Sequence, residues 1–325
     1  MRLLFVTATR IGDAVLSTGL LGHLLDRHPG ARVTVACGAP ARSLFTAVPG
    51  LERLIVLEKR KFAGHWFGLW ASTLPTRWTV AVDLRGSLLT NFLWRARSLV
   101  DRGAHPGSHR VVELGRLAGV EPPPAPRVWL TPEHRARAAA RVPADRPVLA
   151  IGPAANWPPK TWPIDRFVAL MQALRRPGAA LAGARVLVAA APAERPLIAP
   201  MLAAIAPGDL IDLTGGDDLL DVAACLERAA LYVGNDSGLM HLAAAAGAPT
   251  LGLFGPSPDA RYAPWGSRAA VLRADQDFAT LMARARAGET QPGRLMESIS
   301  VAAATTAAEA LLTRVVSASP ARPAG

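Results

Sequence analysis

Lysine is almost missing from this chain, which carries three lysines against 33 arginines. Cysteine is as scarce. Cys37 and Cys225 are too few for a disulfide framework and lack metal-ligand spacing, which excludes a disulfide-stapled secreted scaffold and makes a reducing compartment the expectation. No long hydrophobic run is present either. The opening "MRLLFVTATRIGDAVL" is broken by Arg10 and Asp13 before a signal-peptide core forms. The alanine-rich stretch 178–206 is cut by Arg185, Glu194, Arg195 and three prolines, short of the ~20 apolar residues of a membrane span. A cytoplasmic protein without a membrane-crossing segment is therefore expected. No G-x-G-x-x-G follows the first strand of either half, which argues against a nicotinamide oxidoreductase. No nucleic-acid motif or basic-aromatic array accompanies the positive charge, so nucleic acid is not an expected partner.

Half of the 325 residues are hydrophobic, enough for two domains of roughly 150 residues each. Apolar, β-branched runs at 3–8, 32–37, 53–57 and 79–84 predict strands, with helical segments between the first two and after the last. The rhythm restarts after the proline-rich "EPPPAPRVWLTPEH" and a short helix, "RARAAARV". Further strands are predicted at 147–152, 185–190, 210–214, 231–234, 250–254 and 269–273. This pattern predicts two doubly wound parallel-sheet domains, 1–145 and 146–325, with ligands beyond the carboxyl ends of the strands. A final helix near 300–316 is expected to pack on the body, followed by a frayed "SASPARPAG".

The net charge of +11 is unevenly placed: residues 1–145 hold 20 Lys and Arg against 10 Asp and Glu, the remainder 16 against 15. A one-sided basic domain suits a polyanionic partner, although solvated surface charge accounts for the same numbers. The arginine bias also makes each lysine informative. Lys59 and Lys61 sit in a basic run, whereas Lys160 stands alone as a compact ammonium of the kind a phosphate site uses.

Four loops at strand ends hold the polar residues. In "TATRIGDAVLSTGLL", Asp13 either caps a helix or takes a proton from a hydroxyl nucleophile. In "IGPAANWPPKTWPIDRF", prolines and tryptophans stiffen a loop from which Lys160 reaches a phosphate and Asn156 offers both donor and acceptor. In "AAPAERPLI", Glu194 either starts a helix or accepts ribose hydroxyls. In "VGNDSGLMHL", Gly234, Ser237 and Gly238 open a helix N-terminus suited to a diphosphate, and Asp236 and His241 flank it. Two acidic stretches, "ADQD" (274–277) and "GGDDLLD" (215–221), read as solvated turns and helix caps rather than metal ligands.

Taken in order, "RIGDAVLST", "LRGS", "WPPKTWPIDRF", "GNDSGLMHLAAAAGAPTLGLFGPSP" and "RYAPWG" resemble the heptosyltransferases of glycosyltransferase family 9 over nearly the whole chain. The GNDSG-to-GPSP block is the most specific part. The resemblance implies a GT-B fold, two Rossmann-like domains facing across a cleft, the first binding the acceptor and the second a nucleotide-sugar. It implies inverting transfer of a heptose from an ADP-sugar to a lipopolysaccharide core or similar glycan, with no metal and no further cofactor. On that resemblance Asp13 matches the catalytic base and Lys160 a contact to the donor phosphates. Asn156 matches a position that often holds a hydroxylated residue, Glu194 the ribose glutamate, and Asp236, Ser237, Gly238 and His241 the diphosphate-sugar motif. An anionic glycolipid acceptor would give the basic first domain a use, with peripheral contact to the inner face of an anionic membrane. The competing reading is a non-catalytic sugar-nucleotide binder, or a family 9 transferase with another donor sugar. The chain departs from the family at Ser17-Thr18-Gly19 and in the cysteine-free "MARARAGETQPGRLMESIS".

Overall fold

Buried apolar runs set the frame. Leu3, Leu4, Phe5 and Val6 are fully buried, as are Leu149, Ala150 and Ile151, which is the pattern of parallel strands covered on both faces. The computed structural model describes residues 1–58, 64–103 and 107–318; Lys59, Lys61 and the last seven residues of the expected frayed end lie outside the described residues. The chain divides into two units, Met1–Thr131 and Pro132–Gly325.

The first unit contains β1 (Arg2–Val6), α1 (Ile11–Arg27), β2 (Arg32–Cys37), β3 (Leu51–Val56), α2 (Gly64–Thr73), β4 (Trp78–Asp83), β5 (Arg95–Val100) and α3 (Arg110–Ala118). All five strands are parallel, in the order β3-β2-β1-β4-β5. β5, "RARSLV", was not predicted, because its arginines interrupt any apolar run. It lies at the sheet edge, where charged side chains also discourage pairing with another chain. The helix expected directly after the fourth strand is instead one 3-10 turn, Leu89–Phe92, and β5 precedes α3.

The second unit begins with α4 (Pro132–Arg141) and continues through β6 (Val148–Gly152), α5 (Ile164–Arg175), β7 (Arg185–Ala189), α6 (Arg195–Ala203), β8 (Leu210–Leu213), α7 (Leu219–Glu227) and β9 (Leu231–Asn235). It closes with α8 (Gly238–Ala245), β10 (Thr250–Phe254), α9 (Asp259–Tyr262), β11 (Ala269–Arg273), α10 (Phe278–Arg286) and α11 (Val301–Ala318). Six parallel strands run β11-β10-β9-β6-β7-β8. The division falls at Thr131/Pro132, ahead of the expected junction at 145, because α4 packs on α7 of the second unit. Three arginines fix it there: Arg135 to Glu227 (3.0 Å), Arg137 to Asp221 (2.6 Å) and Arg141 to Asp217 (2.6 Å). Part of the basic excess of residues 1–145 is thus paired within the second unit.

The second core lies between the β sheet and α5, α6, α10 and α11, around Trp162, Phe167, Leu170 and Met296. α11 has the length and hydropathy of a membrane span, 18 residues at mean hydropathy 1.2. Its Ala304, Ala308 and Leu311 nevertheless recur at helical spacing and are buried against α5 and the β9–β11 side of the sheet, as the expected final helix would be.

Candidate functional site

In the second sheet the chain leaves β6 toward β7 and β8 and returns to β9 on the other side of β6. The carboxyl ends of β6 and β9 form the switch point at which doubly wound sheets bind ligands. Three predicted residues meet there. After β6 the chain makes a 3-10 turn, Pro158–Lys160, and enters α5 with Pro163 at the N-cap position. Asn235, fully buried at the end of β9, holds this loop: its Oδ1 accepts from the Trp162 N–H at 2.9 Å and its Nδ2 donates to the Pro153 carbonyl at 2.8 Å. Lys160 is thereby set beside the next residue, and its Nζ donates to Asp236 Oδ2 at 2.5 Å. His241 Nε2 lies 4.0 Å from Asp236 Oδ1. The Lys160 side chain is 22% exposed and that of Asp236 8%, so the pair is neither a surface bridge nor fully dry. Asp236 is the counter-ion of Lys160, which answers how a carboxylate is tolerated at an anion-binding helix mouth.

The mouth itself, the N-terminus of α8, carries no side-chain cap. Ser237 occupies the N-cap position of α8, but its side chain accepts no hydrogen bond from the helix. Its Oγ is buried without a partner of ordinary hydrogen-bond geometry, and so is the hydroxyl of Tyr232. The two lie close enough for Ser237 to favour ionisation of the phenol, although burial and then the Glu194 charge push it strongly the other way. Tyr232 is a residue the sequence reading missed. Its ring runs along the sheet over two glycines: a Cβ on Gly152 would stand 1.9 Å from the phenol oxygen, and one on Gly234 2.5 Å. Gly234 therefore makes room for Tyr232. The only sequence signal was a tyrosine two residues before a glycine within an apolar strand.

Glu194 is half-buried at the start of α6 and closes that turn, its Oε2 accepting from the Ala191 N–H at 2.8 Å. The helix-start reading is realised, and its charge also acts on Tyr232 at the switch point. Gly238 is the first residue of α8. Asn156 is exposed and enters none of these described contacts.

In the first unit the corresponding switch point lies between β1 and β4. Asp13 is the third residue of α1, half-buried, and Arg10 holds the N-cap position. The capping reading of Asp13 is thus set aside. Nearby in the chain, the hydroxyls of Thr7 and Ser17 are 2.7 Å apart, tying α1 to the end of β1. Asp83, at the carboxyl end of β4, is fully buried and accepts from the Arg85 N–H (2.9 Å) and the Ser87 hydroxyl (2.6 Å). Burial raises its pKa against those two hydrogen bonds. It organises the "LRGS" turn.

The acidic stretches behave as caps: Asp277 accepts from the Thr280 N–H and Asp218 from the Leu220 N–H. Among the described residues no group of three or more His, Cys, Asp or Glu is arranged to hold a metal ion. Cys37 and Cys225 are both buried, and burial pushes their thiols up to about 12 and about 11, which makes them poor nucleophiles.

Two doubly wound parallel sheets in one chain make the GT-B architecture, the fold also found in solved heptosyltransferase structures. The family model described as glycosyltransferase family 9 (heptosyltransferase) matches residues 109–287, more than half of the chain. The protein belongs to glycosyltransferase family 9. It is 23% identical to lipooligosaccharide heptosyltransferase 2 of Haemophilus influenzae over 313 residues, covering 84% of this chain and 88% of that one. Its fold is that of a family 9 glycosyl transferase from Veillonella parvula (TM-score 0.78, 20% identity, 96% of this chain and 97% of the other). It is shared as well with the E. coli ADP-heptose lipopolysaccharide heptosyltransferase II (TM-score 0.75, 20% identity, 97% and 100%).

Proposed function

We propose that this transferase is an inverting enzyme that moves a heptose from an ADP-sugar to an anionic glycolipid acceptor of the lipopolysaccharide core, in the cytoplasm and without a metal ion. The observation that carries the donor half is the Lys160, Asp236 and His241 cluster beside the uncapped N-terminus of α8. Negative charge grows on the diphosphate as it leaves. Lys160 and the first N–H groups of α8 are a fixed cation and a fixed dipole suited to receiving it. Glu194, close to Tyr232, is suited to a ribose hydroxyl. Asp236 and His241 are assigned to the sugar and its phosphate link, and Asn156, exposed on the Lys160 loop, to an outer donor contact.

The acceptor half rests on Asp13. In a single displacement the acceptor hydroxyl oxygen bonds to the anomeric carbon and the bond from that carbon to the diphosphate oxygen breaks. The hydroxyl proton passes to the Asp13 carboxylate, and configuration inverts. The names of the relatives support the heptose, the ADP-linked donor and the lipopolysaccharide-type acceptor. The basic excess of the first unit, seventeen Lys and Arg against eight Asp and Glu, supports an acidic acceptor and contact with an anionic membrane face.

Thermal-shift titration against ADP-, GDP- and UDP-sugars tests the donor. Stabilisation by the ADP-sugar is expected, and a response to a UDP-sugar alone would overturn the heptose assignment. Asp13→Ala is expected to keep that donor response and to lose about 100-fold or more in turnover, within the range for a general base. Removing divalent ions with a chelator should leave turnover unchanged. A wild-type protein that binds the ADP-sugar but transfers nothing to any core acceptor would favour the binder reading.

A further inference from the structure

Seven large apolar side chains are strongly exposed among the described residues, and four of them, Phe67 (69%), Leu88 (70%), Phe92 (64%) and Trp94 (67%), belong to two neighbouring segments of the first unit. Scattered exposed leucines need no explanation; a concentration of this kind marks an interaction surface. The two segments are held together. Trp70 Nε1 of α2 donates to the Phe92 carbonyl at 3.1 Å, and the Phe67 and Trp70 rings lie 5.5 Å apart. Leu69, Leu89 and Leu93 are buried in the core beneath, so the outward direction of Leu88, Phe92 and Trp94 is set by inward anchors on the same short stretch.

Charge decides what covers this surface. Between residues 64 and 100 the chain has four arginines, Arg77, Arg85, Arg95 and Arg97, and one acid, Asp83. Asp83 is fully buried and bound within its own turn. Residues 64–100 therefore present cations and no exposed carboxylate of their own. Arg85 lies 5.9 Å over the Trp66 ring at its border, and Arg77 and Arg97 are exposed. Of the tryptophans in this segment Trp94 is exposed, Trp66 and Trp70 are half-buried beside it, and Trp78 is buried in the core beneath. Tryptophan and phenylalanine with arginine and no free acid is the chemistry of the interface between an anionic bilayer and water.

We propose that the surface formed by α2 and residues 88–94 docks on an anionic lipid membrane, with Phe67, Leu88, Phe92 and Trp94 entering the headgroup boundary and Arg85 and Arg97 meeting lipid phosphates. This gives a surface to the membrane contact proposed above and rests on that reading only for its purpose. Aromatic side chains supply the depth of insertion, and the arginines select the sign of the surface.

The test is co-sedimentation of the full chain with phosphatidylcholine vesicles made with and without phosphatidylglycerol, together with tryptophan emission. Binding to the anionic vesicles with a blue shift, weakened by salt, is expected. Phe92→Ser/Trp94→Ser should bind them about tenfold or more weaker, since each buried aromatic contributes more than one decade in partitioning. Both side chains face solvent, so this variant should melt as the wild type does and keep its thermal-shift response to ADP. Equal binding to neutral and anionic vesicles, or undiminished binding of the double variant, would overturn the proposal. A change from dimer to monomer in the variant, with no change in vesicle binding, would instead assign the patch to a second copy of this chain. If neither protein responds to any nucleotide sugar, the proposed donor chemistry fails while the vesicle result stands.

Discussion

Replacing Lys160 by methionine separates two roles that the structure superimposes on one ammonium. Lys160 neutralises Asp236, whose side chain is only 8% exposed. Removing the cation leaves a carboxylate with little access to water. Exposed pairs contribute at most about 1 kcal/mol, whereas breaking a fully buried pair costs about 3 to 5 kcal/mol; with Lys160 22% exposed, a loss of about 2 to 3 kcal/mol is expected. For a unit of this size that lowers the melting midpoint by roughly 5 to 10 °C. The donor role is separate: a charge-assisted hydrogen bond to phosphate contributes about 1.5 to 3 kcal/mol, or roughly 10- to 150-fold in ADP affinity. Lys160→Met/Asp236→Asn removes both charges and resolves the two effects. It should recover most of the lost melting temperature and none of the lost affinity. Calorimetric ADP titration of the wild type, both single variants and the double variant completes the cycle. If the double variant melts as low as Lys160→Met, the ion pair does not stabilise the fold. If it binds ADP like the wild type, Lys160 does not hold the diphosphate.

Two further outcomes are expected. Tyr232→Phe removes a buried hydroxyl whose contact with Ser237 lacks ordinary hydrogen-bond geometry, so its melting temperature should change little, while the KM for the donor is expected to rise a few-fold with little change in kcat, as the loss of a group that orients Ser237 would give. Hydrogen bonds from Arg146 and Arg175 hold the Asp209 carboxyl below its usual range. A depressed folded-state pKa contributes stability above the unfolded value near 4 and loses it as pH falls through the folded value, so Asp209→Asn should cost about 1 kcal/mol at pH 7 in urea titrations, with the gap closing below about pH 4.

The β-branched runs made ten of the eleven strands legible, because a strand covered on both faces leaves an uninterrupted apolar stretch. β5 escaped because Arg95 and Arg97 break its apolar run, unlike the other edge strands β3, β8 and β11, and α2 because "GHWFGLW" combines helix-poor glycines with aromatics. Lys160, Asp236, Ser237, Gly238 and His241 were legible through their place at strand ends, and the structure brings them to one switch point. The partnership of Lys160 with Asp236 was not legible, since 76 residues separate them and only the fold makes them neighbours. Tyr232 was hidden for a related reason. The void it fills is defined by what Gly152 and Gly234 lack, and an absent Cβ leaves no positive mark in a sequence.

The attachment of α4 to α7 bears on how the chain can be cut. A fragment begun at 146, where the proline-rich stretch and short helix have already passed, would lose Ala138 and Val142 from its interior and strip Glu227, Asp221 and Asp217 of their arginines. One begun at Pro132 keeps all of these. Limited proteolysis should accordingly release a resistant carboxyl-terminal piece whose first residues precede the arginine-bearing helix, and the peptide ending near Thr131 is the natural partner for reconstitution.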